Sequence, residues 1–73
     1  MESIRNTFIV EAYSVPDFCA AHSLSRGKFY GLLKLGLGPR IMKVGRRTLV
    51  SREAAADWRH DMERRTTTQG GVQ

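Results

Sequence analysis

The central third of this 73-residue chain concentrates basic side chains. Residues 26–52 contain eight arginines and lysines and no acidic residue, whereas the whole chain has a formal net charge of only +5. A block of one sign in a folded segment is the electrostatic footprint of a surface that binds a polyanion. We favour this interpretation over a basic face that serves only solvation. The eight residues are Arg26, Lys28, Lys34, Arg40, Lys43, Arg46, Arg47 and Arg52.

Catalytic chemistry has few candidate groups in this sequence. The chain has two histidines and one cysteine and no cluster of carboxylates, and no nucleophile is matched with a base and a third orienting group. A chain this short buries only about 60% of its unfolded surface, so a deep cleft is not expected. Cys19 is expected to be a buried structural thiol, and His22 a turn residue rather than a base or ligand. We therefore expect a protein that is not an enzyme and that binds no cofactor and no metal.

Targeting signals are not recognised in the sequence. The N-terminus lacks the basic and apolar regions of a signal peptide, and no stretch approaches the roughly 20 apolar residues of a membrane span. A single cysteine cannot form an intramolecular disulfide. We expect a cytoplasmic protein without a membrane partner.

The helix that must present part of the basic block is predicted over Ser25–Leu35. Its first residue can cap the helix, and Gly36 can adopt the left-handed conformation that ends one. Phe29, Leu32 and Leu33 recur three and four residues apart and so share one apolar face. The opposite face is small and basic, with Gly27, Gly31 and Lys34 flanked by Arg26 and Lys28.

Two elements are predicted before this helix. Thr7–Tyr13 is rich in β-forming residues, which predicts a short strand. A first helix is predicted to begin at Ser14, which can cap it, with Pro16 in its first turn, and to end near His22. Two helices joined by a three- to four-residue junction form a helix-turn-helix unit.

A β-hairpin and a last helix are predicted after a Gly/Pro-rich break at residues 36–39. Gly45-Arg46 suits a two-residue turn with glycine first, which would hold Arg46 and Arg47 at the hairpin tip. Cross-strand partners share a face, and we expect the apolar face to enter the core. The apolar face carries Met42, Val44 and Leu49, and the polar face carries Lys43 and Thr48.

The last helix is predicted to begin after Ser51, which can cap it. Ala54, Ala55, Trp58 and Met62 form its apolar stripe, with Trp58 as the largest anchor of the core. The predicted organisation is a flexible N-terminus at 1–6, a domain at 7–63 and a disordered tail at 64–73.

The order of these parts resembles the small winged helix-turn-helix proteins of the AlpA and phage-excisionase type, which are akin to the DNA-binding domains of MerR-type regulators. The resemblance covers residues 13–58 and depends on four fragments. They are Ser25-Arg26 before Phe29-Tyr30, Gly36 with Pro39, Lys43-Val44-Gly45-Arg46-Arg47, and Ala54 to Trp58. It implies an α+β fold with a helix-turn-helix, a two-stranded hairpin wing and a C-terminal helix, to which a short N-terminal strand can be added. It also implies a sequence-specific DNA-binding protein of a bacterium, prophage or other mobile element. Such proteins are transcriptional regulators, recombination directionality factors (excisionases), or both, and we expect association with the bacterial nucleoid.

The resemblance implies roles for the basic residues on double-stranded DNA. The second helix would enter the major groove with its first turns. There the N–H groups after Ser25 meet a phosphate, and Arg26 and Lys28 reach guanine edges or phosphates. The wing arginines, Arg46 and Arg47, would straddle a phosphate or enter the minor groove. The remaining cations, expected to position the protein on phosphates, are Lys34, Arg40, Lys43 and Arg52.

The sequence departs from the family at Gly27 and Gly31, where members usually carry small polar residues and an arginine. We favour a helix backbone that approaches DNA unusually closely, together with readout by the wing and by DNA shape, over a face that contacts protein.

The rival function is an adaptor or inhibitor that uses the same fold to bind a recombinase or another protein. A protein this small would bury at most about 600–1,000 Å² on DNA, so we expect several copies on repeated or inverted sites. An integrase or other recombinase is a further candidate partner.

Overall fold

The computed structural model describes residues 10–67, which form a small α+β domain with three helices and a three-stranded antiparallel sheet. The predicted flexible residues 1–6, the first part of the predicted strand at 7–9 and the tail residues 68–73 lie outside the described residues. The elements are β1 (Ala12–Ser14), α1 (Val15–Ala21), α2 (Arg26–Lys34), β2 (Met42–Val44), β3 (Arg47–Ser51) and α3 (Arg52–Arg65).

A serine caps each of the three helices, as the sequence predicts. In every case the serine Oγ accepts a hydrogen bond from the backbone N–H three residues later, at 3.0 to 3.2 Å. The caps are Ser14, Ser25 and Ser51. After α2 the chain reverses at Gly36, whose φ of +76° lies in the left-handed region that a glycine adopts without strain. The start and end of α2 are therefore set by local sequence.

The junction between α1 and α2 is short and internally bonded. Ser23 takes a φ of +58°, and the Leu24 N–H donates to the Cys19 carbonyl at 2.9 Å. The Leu24 side chain packs against the core, where Phe18 and Phe29 are fully buried. These contacts fix the direction of α2 relative to α1.

The sheet has the strand order β1-β3-β2, so β3 pairs with a neighbour on each side. The hairpin register is the predicted one, with Met42 opposite Leu49 and Lys43 opposite Thr48. Gly45 begins the turn with a φ of +62°. Within the described residues the N-terminal strand pairs with β3 from Ala12 to Ser14, so Val10 and Glu11, which the sequence places in the strand, lie before it.

The prediction of which hairpin face enters the core is wrong. Met42 and Val44 are 40% and 54% exposed, whereas Val50 is fully buried. Val50 pairs with Tyr13 and, by strand alternation, lies on the same side as Thr48. The helices pack mainly on the β1–β3 part of the sheet, beyond the hairpin. The β1–β3 pair therefore decides which side of the sheet is buried. Alternation defines two faces, and only the packing of the helices assigns one of them to the core.

The core is small and centred on aromatic rings. Phe18, Phe29 and Val50 are its largest fully buried side chains, and Cys19 is buried as predicted. Trp58 packs against the edge of the core and remains partly exposed, where its Nε1 donates to the Leu37 carbonyl at 2.8 Å. Trp58, predicted as the largest anchor of the core, therefore lies at the edge of the core and joins residues 36–39 to α3. Phe18 and Phe29 form the centre of the core.

His22 lies at the C-terminal cap of α1, as expected of a turn residue. Its ring stacks on Phe18 at a centroid distance of 4.1 Å. The Nδ1 lies 2.8 Å from the Phe18 carbonyl, and the Nε2 lies 3.0 Å from Nη1 of Arg59. A neutral ring that donates from Nδ1 and accepts at Nε2 satisfies both contacts. His22 thus joins α1 to α3 in a structural role.

The last helix extends past Glu63, where the sequence places the end of the domain. Arg64 and Arg65 each donate to a different oxygen of Asp61, at 2.9 Å. These contacts, together with a hydrogen bond from the Thr66 hydroxyl to the Met62 carbonyl, continue the helical end beyond the predicted limit.

Acid titration is expected to show the contribution of the Asp61 carboxylate to the stability of the domain. The hydrogen bond from Arg65, with the charges of both arginines, lowers the pKa of Asp61 from its usual value. Because the pKa is lower in the folded state, the stabilising contribution is present above the unfolded-state pKa and is lost as the pH falls below about 4. We expect Asp61→Asn to remove a small part of the acid-induced loss of stability, measured as unfolding free energy between about pH 2 and about pH 6. An identical acid limb in the variant would contradict the pairing.

Candidate nucleic-acid interface

An open groove lies between the first turns of α2 and the hairpin, and we call it the cationic groove. Arg26 and Tyr30 line it from α2, and residues 14–16 line it from the start of α1. Arg46, Arg47 and Thr48 line it from the hairpin. The sequence predicts each of these arginines as a site residue, and the fold brings the three together at one place.

The face of α2 beside the cationic groove is flat where the two glycines lie. A Cβ added at Gly27 would meet only the Ser25 Oγ, at 4.0 Å, and one added at Gly31 would meet nothing within 4 Å. Neither glycine is therefore required by packing within the described residues. Without side chains, this part of the helix backbone is accessible to close approach by a partner.

The charges around this face are not neutralised within residues 10–67. The salt bridges there use other basic residues, namely Arg40, Arg52, Arg64, Arg65 and His60. Arg26, Lys28 and Lys34 are exposed on α2 and form none of them. A field of one sign that is not cancelled locally attracts an anionic partner and orients its approach.

Two predicted site residues lie away from the cationic groove. The Arg40 Nη1 is 2.9 Å from an oxygen of Asp57 on α3. The Arg52 Nη2 is 3.6 Å from an oxygen of Glu11, just before β1. The structure therefore places these two in exposed ion pairs, where side chains of opposite charge already accompany them.

Lys43, another predicted site residue, lies beside the cationic groove, where it is bonded to Thr48. The Lys43 Nζ donates at 2.7 Å to the Oγ1 of Thr48, which is its cross-strand partner. Thr48 itself lines the groove, so the ammonium lies next to the groove without lining it.

Tyr30 is the residue of the groove that sequence reasoning missed as a site residue. It is exposed and lines the groove together with Arg26, four residues earlier on the same helix. The four-residue spacing between Arg26 and Tyr30 is the sequence signal that could have identified Tyr30, because residues four apart share a helix face. Its ring packs edge-on against Phe29, at a centroid distance of 5.1 Å.

Replacement of Ser25 is expected to loosen the turn that carries Arg26. The Ser25 Oγ accepts from the Lys28 N–H at 3.0 Å, and loss of a serine cap costs about 1 kcal/mol. We expect Ser25→Ala to lower the free energy of unfolding by about that amount, measured by denaturant titration. Ser25→Asp, which keeps a capping oxygen, is the control and should retain most of the stability. Equal losses in both variants would contradict a capping role.

Other chemical features of the described residues are few. Within residues 10–67, no three or more histidine, cysteine, aspartate or glutamate side chains are grouped so that they could hold a metal ion. No helix in this range is long and apolar enough to cross a membrane. Comparison of the chain with models of protein families, with curated proteins and with solved structures found no match.

Proposed function

We propose that this protein is a small winged helix-turn-helix protein that binds double-stranded DNA. In this proposal α1 and α2 form the helix-turn-helix unit, and β2 and β3 form the wing. The proposal extends the resemblance to AlpA-type and excisionase-type proteins, and with it a role as a transcriptional regulator or a recombination directionality factor of a prophage or other mobile element.

The observation that carries the proposal is the convergence of Arg26, Arg46 and Arg47 on the cationic groove. Planar guanidinium groups bind phosphate oxygens through paired hydrogen bonds, which makes arginine well suited to a nucleic-acid backbone. The groove adjoins the exposed face of α2, whose cations have no acidic partner within the described residues. A polyanion can therefore contact the helix and the wing at the same time.

The binding mode follows from the dimensions of DNA. The major groove of B-DNA admits one α-helix, and helix-turn-helix proteins insert the first turns of their second helix. Lys28 is the side chain of α2 that can reach a base edge while Arg26 lines the cationic groove. Lys34 and Lys43 lie farther along the helix and the wing, where they contact phosphates. Base readout by α2 is then sparse, because Gly27 and Gly31 offer no side chain.

Several copies are proposed to act together on DNA. A single domain of this size buries about 600–1,000 Å² of its surface on DNA, which is at the low end for a specific complex. Sites in repeated or inverted arrangement would provide the remaining affinity. Sedimentation of the protein on its natural sites should show more than one protomer, and a single protomer on every site would contradict this part of the proposal.

The experiment that tests the proposal is a salt titration of binding to mixed genomic fragments, followed by sequencing of the fragments retained at about 0.2 M salt. If about four phosphates are neutralised, log K should fall with log salt with a slope of about −4. A recovered motif would support sequence-specific binding. Salt-sensitive binding without a motif would replace it with an architectural role, and no binding at low salt would refute the DNA proposal.

A further inference from the structure

The hairpin exposes an apolar surface on the side away from the core. Met42, Val44 and Leu49 share this side, which we call the outer hairpin face. Met42 and Val44 are 40% and 54% exposed, respectively. Grouped exposed apolar side chains commonly mark an interaction site. DNA binding gives no reason for them, because phosphates and base edges call for cations and hydrogen-bonding groups.

The backbone next to this face is also unpaired. β2 is an edge strand, since its only neighbour in the sheet is β3. The pair that closes a two-residue hairpin, here Val44 with Arg47, is hydrogen-bonded, so the next pair, Lys43 with Thr48, is not. The N–H and carbonyl of Lys43 therefore point to the free edge. No backbone hydrogen bond within residues 10–67 uses them outside the sheet.

The Lys43 side chain does not cover this edge. Lysines on edge strands commonly discourage pairing with other chains. Here, however, the Nζ of Lys43 is bonded to Thr48 across the strand, at 2.7 Å. It thus lies on the side opposite the outer hairpin face, and the edge remains accessible.

We propose that β2 takes up an extended segment of another protein as a fourth strand. Main-chain hydrogen bonds to Lys43 would hold the segment, and alternate side chains of the segment would pack on Met42 and Val44. The segment is acidic as well as apolar, because the chain from residue 26 to residue 52 has only positive charges. Arg46 and Arg47, at the end of the hairpin, are in reach of carboxylates on such a strand.

A second copy of this chain is a poorer occupant of the same edge. Antiparallel self-pairing centred on Lys43 would place this lysine directly opposite its equivalent. Like charges directly opposite each other destabilise a strand pair, and Arg46, at the end of the hairpin, adds further repulsion. Arg47 pairs with Val44 and so shares the outer hairpin face, and it also lines the cationic groove, whereas the strand edge at Lys43 does not line the groove. Peptide binding is measured without DNA, so the proposal does not depend on DNA binding.

Selection of a displayed library of random peptides against the full chain tests this proposal. Retained peptides are expected to alternate apolar and acidic residues. A synthetic copy of the most enriched peptide should shift the backbone amide resonance of Lys43, and its affinity should fall about tenfold or more in Val44→Glu. The matched control is Val10→Glu, at a 50% exposed position two residues before β1, the opposite edge strand, which should leave the affinity unchanged.

Three results would overturn the proposal. One is the absence of an alternating apolar and acidic pattern among the retained peptides. Another is equal binding by Val44→Glu, with its fold verified by circular dichroism. The third is a concentration-dependent dimer that Val44→Glu abolishes, which would assign the edge to a second copy.

Discussion

Replacement of both Arg46 and Arg47 by alanine is expected to weaken DNA binding by about 10- to 100-fold at about 0.1 M salt. The two side chains line the cationic groove with Arg26, and none of the salt bridges within residues 10–67 involves them. Removal of one phosphate-binding side chain should also reduce the salt slope by about 1, so a slope of about −4 should become about −2 in the double variant. Fluorescence anisotropy with a labelled duplex across a salt series measures both quantities.

The matched control removes the same charge elsewhere. Arg64 and Arg65 are adjacent, like Arg46 and Arg47, but they lie at the end of α3 and bond to Asp61. The double alanine variant at these positions should change the slope by much less. Equal effects of the two double variants would show that only net charge matters and would contradict a localised interface.

Replacement of Arg46 and Arg47 should leave the stability of the domain nearly unchanged. Arg46 and Arg47 are exposed, and neither forms a side-chain hydrogen bond or salt bridge within the described residues. Surface substitutions of this kind usually change the free energy of unfolding by less than about 0.5 kcal/mol. The change in affinity therefore reports contacts with DNA.

Local features of the fold could be predicted from the sequence. The three serine caps, the left-handed Gly36 and the Gly45-Arg46 turn all depend on interactions within a few residues. The hairpin register follows from the turn length, so the pairing of Met42 with Leu49 could be predicted as well.

Features that depend on how the elements pack could not be predicted. The buried side of the sheet is set by the pairing of β1 with β3, which joins Tyr13 to Val50 across 37 positions of sequence. The ion pairs of Arg40 with Asp57 and of Arg52 with Glu11 likewise join distant segments. Charge counting treats all eight cations of the basic block as equivalent, and only the fold separates those that line the cationic groove.

Replacement of Gly27 and Gly31 by alanine is expected to stabilise the free protein and to weaken its DNA complex. A glycine in a helix interior, as at Gly31, costs about 1 kcal/mol relative to alanine, and Gly27, the second residue of α2, costs up to about that amount. A Cβ at either position has room. The double variant should therefore gain about 1 to 2 kcal/mol in unfolding free energy, which for a domain of this size raises Tm by roughly 4 to 16 °C. If the helix backbone lies against the floor of the major groove, two added methyl groups should reduce affinity by about tenfold or more.

Opposite signs for stability and binding make this experiment decisive. A change that merely perturbed the fold would lower both quantities, whereas close approach of DNA predicts a more stable protein with a weaker complex. Each single variant locates the closest contact, because Gly27 lies in the first turn of α2 and Gly31 lies in the second. A double variant that gains stability and keeps its full affinity would contradict close approach at α2. Readout would then belong to the wing and to DNA shape, for which the Arg46 and Arg47 variant is the direct test.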